Sequence, residues 1–102
     1  MRHEKIFKRP DGSKVMIVVR LNFDFYNREK GDWSFDVAIC KPNKRKFEDA
    51  VDTNGWEFRK LSLDNRVEFL KKENLKIVTK EEVLEVQLEL WEKIKPNLNS
   101  LN

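Results

Sequence analysis

Val15-Met16-Ile17-Val18-Val19-Arg20-Leu21-Asn22-Phe23-Asp24-Phe25 is the stretch that decides the fold. Its odd positions are all apolar, and its even positions turn polar after Val18. Alternation of period two over this length marks a β-strand with one face buried. Toward the N-terminus, Pro10-Asp11-Gly12-Ser13 has turn chemistry and Ile6-Phe7-Lys8 is a short apolar-centred run, so the two segments predict a hairpin. Toward the C-terminus, residues 27–32 are polar, contain Gly31 and read as a loop. Trp33-Ser34-Phe35-Asp36-Val37-Ala38-Ile39-Cys40 then alternates again until Pro42-Asn43. The first forty residues predict an antiparallel three-strand meander.

Beyond it the pattern changes. Phe47 to Val51 fits a short strand or one helical turn, and Trp56-Glu57-Phe58-Arg59 fits a fourth short strand. Ser62 is placed to cap a helix over residues 63–74 whose stripe is Leu63, Val67 and Leu70, with Asn74 as a left-handed stop. Thr79 and Glu82, three apart, form a capping box for a second helix over residues 80–95. That helix carries Val83, Leu84, Val86, Leu88, Leu90, Trp91 and Ile94 and is expected to end at Pro96. The fold class is therefore α+β: a meander of three to four strands over residues 4–60, then two helices on one face of the sheet. Residues 1–96 make one domain, and residues 97–102 a short disordered tail.

Composition excludes several chemistries. The chain has 102 residues, 38% of them charged and 39% hydrophobic. Its longest apolar run, residues 15–19, is far below the ~18 residues a membrane span needs. A soluble, cytoplasmic protein is expected. One cysteine, Cys40, forbids an intrachain disulfide and fits a reducing compartment. One histidine, His3, leaves no usual ligand set for a metal, and no cofactor motif is present. The net charge of +3 is uneven, with residues 1–50 basic and residues 51–102 slightly acidic. Lysine occurs 14 times and asparagine 9 times, against 2 alanines, a bias that fits an A/T-rich genome such as a phage or mobile element.

Catalytic groups are equally sparse. A nucleophilic Cys40 needs a base, and His3 falls on the opposite strand parity. Asp24 and Asp36 share the even face. If Phe25 pairs with Trp33, Asp36 opposes Asn22 and lies diagonal to Arg20, which makes an Arg–Asp contact rather than a carboxylate pair. No catalytic residues are assigned.

Binding residues are assigned on two surfaces. The even face should be polar if it meets water, yet one end holds Ile6, Met16, Val18, Ala38 and Cys40. With Ile6 facing Met16 and Val18 facing Cys40, these form one apolar patch. Either residues 43–58 fold across it, with Phe47, Val51 or Trp56 as cover, or it meets a partner, a second copy included. The last helix is apolar over an arc of roughly 200°, with Val86 and Leu88 at the edges, wider than packing on one sheet requires. The protein-binding candidates are thus Ile6, Met16, Val18, Cys40, Val86 and Leu88. The alternative is a nucleic-acid-binding module built on Lys41, Lys44, Arg45 and Lys46, with Arg59 and Lys60 downstream. The expected function is a small non-enzymatic accessory protein that binds another protein or itself.

Overall fold

The computed structural model describes residues 1–23 and 31–100. Its elements run β1 (Arg2–Lys8), β2 (Lys14–Phe23), β3 (Gly31–Cys40), β4 (Glu48–Asp49), α1 (Trp56–Arg59), α2 (Leu63–Asn74) and α3 (Lys80–Ser100). The strands form one antiparallel sheet in the order β1-β2-β3-β4. The α+β class, with a meander followed by helices, stands as read.

The first hairpin has the expected register, with Ile6 opposite Met16. Its turn is closed by the Arg9 N–H donating to the Ser13 carbonyl at 2.9 Å. Asp11 Oδ1 accepts from both the Ser13 amide and hydroxyl, and Gly12 takes φ +90°, a value that favours glycine. The second register differs by four residues. Val18 faces Asp36 and Lys14 faces Cys40, rather than Val18 facing Cys40 and Asn22 facing Asp36. A shift by an even number keeps every side chain on its face, so alternation fixes the buried face and leaves register open. Asp36 is still diagonal to Arg20, and the two make an ion pair. Asp24, Phe25 and the start of the expected loop lie outside the described residues.

The odd face is the core. Val15, Ile17, Val19, Leu21 and Val37 pack against Val78, Val86, Leu90 and Ile94. One helix, α3, covers this face and lies over β1 and β2. Val86 is 0% exposed and sits at the centre of that packing, not at an edge of it. The arc that counts is Val83, Val86, Leu90 and Ile94, spaced at three and four residues. α3 starts with the predicted capping box: the Glu82 amide donates to Thr79 Oγ1 at 3.1 Å, and the Thr79 amide to Glu82 Oε1 at 3.0 Å. It runs on through Pro96 to Ser100 instead of stopping. Residues 97–100 are thus helical, and residues 101–102 lie outside the described ones.

α2 is capped as expected, with Ser62 Oγ accepting from the Asn65 amide at 3.3 Å, but its inward stripe is shifted. Leu63 and Val67 are exposed, while Arg66, Phe69, Leu70, Glu73 and Asn74 turn inward. Two contacts set this rotation. Phe69 packs on Phe58 at 6.0 Å between centroids, and Arg66 lies over the same ring and donates to the Arg59 carbonyl. Leu70 and Asn74 then line a cleft with Met16, Val18 and Ala38, so α2 borders the even face. Asn74 is not a left-handed stop. α2 ends at Leu75 in right-handed geometry, and the Ile77 and Val78 amides both donate to the Asn74 carbonyl. Trp56–Arg59 is a helical turn rather than a strand. The Arg59 amide donates to the Gly55 carbonyl at 3.2 Å, which satisfies locally what a strand would need a neighbour to satisfy. Glu48–Asp49 is the short strand that residues 47–51 allowed.

Candidate protein-binding surface

The β1–α3 seam shows which face of α3 is already used. The basic residues of β1 and its turn meet acidic residues of α3. Arg9 grips Glu82 in a two-bond fork at 2.6 and 2.8 Å. Lys5 donates to Glu89 at 2.6 Å and lies 3.6 Å from Glu85. His3 bridges Glu89 through Nε2 and Lys93 through Nδ1, each at 2.9 Å. An ammonium only donates, so Nδ1 accepts and the proton sits on Nε2. The Arg9 hydrogen bonds, helped by the capping bond from Thr79, pull the Glu82 carboxyl down to about 2. Hydrogen bonds from Lys5 and then His3 lower that of Glu89.

His3 therefore belongs to a structural ladder on the odd face. Cys40 is on the even face, buried, with its thiol 3.1 Å from the Lys44 carbonyl. The two are on opposite sides of the sheet.

The even-face patch is largely closed. Val18 and Cys40 are buried and Met16 is half-buried, leaving Ile6 as its exposed member. Val51, Thr53, Leu70 and Asn74 join Met16, Val18 and Ala38 around a cleft of about 270 Å³, with Arg20 and Asp36 at its polar end. The expected partner surface is thus largely covered: Val51 and α2 border Met16 and Val18, and the Cys40 thiol lies against the Lys44 carbonyl in the connection between β3 and β4. Val86 is likewise removed from the candidates, since it is core.

Leu88 keeps its place and gains neighbours. It is 60% exposed, Leu84 is 53% exposed and Trp91 is 36% exposed. Spacings of four and three put them on one stripe, on the side of α3 away from the sheet. The sequence places Leu84 and Trp91 inside the apolar arc of the helix and does not mark them as exposed. The signal that separates them is the core-facing set of buried Val86, Leu90 and Ile94 with half-buried Val83, which leaves them on the outer arc.

The basic residues Lys41, Lys44, Arg45, Lys46, Arg59 and Lys60 are all exposed. The first four lie in the connection between β3 and β4, and Arg59 and Lys60 lie at the end of α1. Lys60 sits over the exposed Trp56 ring at 5.3 Å, and Glu48 and Asp49 follow the basic run directly in β4. Among the described residues no three His, Cys, Asp or Glu side chains cluster as a metal site, and no helix is long and apolar enough to cross a membrane. Comparison of the chain with protein-family models, with curated proteins and with solved structures finds no match.

Proposed function

We propose that this chain is a non-enzymatic accessory protein that works by binding another polypeptide through the outer face of α3. The observation that carries the proposal is the stripe Leu84, Leu88 and Trp91, three large apolar side chains left in water on one side of a helix. The separation of His3 from Cys40 and the absorption of His3 into the ladder support a role without chemistry. The A/T-biased composition fits a phage or mobile-element product, such as a virion accessory or an inhibitor of host machinery.

A photo-reactive residue at Leu88 tests this in cells that express the chain. Irradiation should give a discrete adduct with a polypeptide, while the same residue at Asp64, exposed on α2, should give none. Equal adducts at both positions, or none at Leu88, overturn the proposal.

A further inference from the structure

We infer that the polypeptide received by α3 is a second copy of this chain, paired antiparallel about a two-fold axis at Leu88. This rests on the proposed binding role of that face and names its occupant. The sequence along the stripe is self-complementary. At 100° per residue, Glu81, Leu84, Leu88, Trp91 and Lys95 fall within an arc of about 80°, and all five are exposed. They occupy successive a and d positions of a heptad, with Leu88 in the middle.

The spacing about Leu88 is nearly symmetric. Glu81 lies seven residues before it and Lys95 seven after, each about 10.5 Å away along the axis. An antiparallel pair centred there sets Glu81 of one copy against Lys95 of the other, at both ends. Leu84 and Trp91 lie about 6 and 4.5 Å to either side. Leu84 of one copy therefore meets Trp91 of the other, and Leu88 meets Leu88. A parallel pair would set Glu81 against Glu81 and Lys95 against Lys95, so charge selects the antiparallel one.

Neither end charge is used among the described residues. Glu82, Glu85 and Glu89 are held by Arg9, Lys5 and His3, but Glu81 and Lys95 have no ion-pair partner among the described residues. The same patch on both copies is what a two-fold interface requires.

The test is sedimentation equilibrium of the purified chain over a concentration series, with four variants. The wild type should reach twice the 12.3 kDa chain mass. Leu88→Glu should raise the dissociation constant at least ~100-fold and leave the circular dichroism unchanged, because Leu88 is at the surface. Glu81→Lys and Lys95→Glu should each weaken association several-fold by setting like charges together at both ends. The double variant E81K/K95E should restore it. A wild type that stays monomeric up to ~1 mM, a dimer indifferent to Leu88→Glu, or charge variants that fail to compensate overturns the pairing. The photo-adduct separates this from the broader role. A Leu88 adduct of twice the chain mass supports the pairing. An adduct with a different polypeptide, formed by a chain that is monomeric when pure, overturns the pairing and leaves the binding role standing.

Discussion

Replacing Glu82 by Gln tests the seam that holds α3 to the sheet. Glutamine keeps the capping geometry, since either Glu or Gln serves the third helical position. The substitution therefore removes the charge and spares the cap. Glu82 titrates near 2 when folded against 4.5 ordinarily. A gap of about 2.5 units at 1.36 kcal/mol per unit sets a ceiling of ~3.4 kcal/mol. The Glu82 and Arg9 side chains are 18% and 27% exposed, and water reaching the pair reduces this to about 2 kcal/mol. The sign follows from the depressed value: the contribution is whole above pH 4.5 and is lost as pH falls from 4.5 through 2. Urea unfolding at pH 7, 4.5 and 2 should show E82Q about 2 kcal/mol weaker than wild type at pH 7. At pH 2 the difference should shrink to roughly a tenth of its pH 7 value, a few tenths of a kcal/mol. Glu89 also titrates low, through Lys5 and then His3, so some acid sensitivity survives in the variant. An E82Q protein as stable as wild type at pH 7, or with the same loss between pH 4.5 and 2, would refute the assignment.

Two further outcomes follow from burial. Ile17→Ala, at a fully buried position, should cost about 2–5 kcal/mol, whereas Trp91→Ala should cost about 1 kcal/mol in the monomer; chemical denaturation of both at low concentration checks the ordering, and a Trp91 loss equal to that of Ile17 would place the ring in the core. Cys40 should react with a thiol reagent at least ~10³-fold more slowly in native buffer than in denaturant, because labelling must wait for opening. Native labelling at the unfolded rate would show that the connection between β3 and β4 does not close over the Cys40 end of the even face.

Strand positions and faces could be read because alternation is a property of neighbouring residues. Ile17, Val19 and Leu21 point inward whichever register the strands adopt. Register could not be read from the same pattern, since sliding β3 by four residues leaves it intact. The helix caps at Ser62 and Thr79 were equally local and appear where expected. The rotation of α2 was not local. Its inward stripe follows Phe58, Phe69 and Arg66, a contact made across a turn, and with α2 on the even side the stripe on α3 has no cover. The sequence therefore marks Leu88 as an edge of the apolar arc without separating Leu84 and Trp91 from its core members, and leaves open whether Met16, Val18 and Cys40 are covered.

The ladder joining His3, Lys5 and Arg9 to Glu89 and Glu82 spans 73 to 86 residues of chain. Its members stand far apart in the order of synthesis. The meander is finished at Cys40, yet the side chains that cover its odd face, Val86, Leu90 and Ile94, come about fifty residues later. At ~5–20 residues per second that delay is roughly 3–10 s. Throughout it, Val15, Ile17, Val19 and Leu21 have no helix over them, and β1 is an unpaired edge of the sheet. Folding must be completed by a contact of high sequence separation, which makes the last step slow. A chain truncated before Leu90 would keep its strands and lose the lid that shields them.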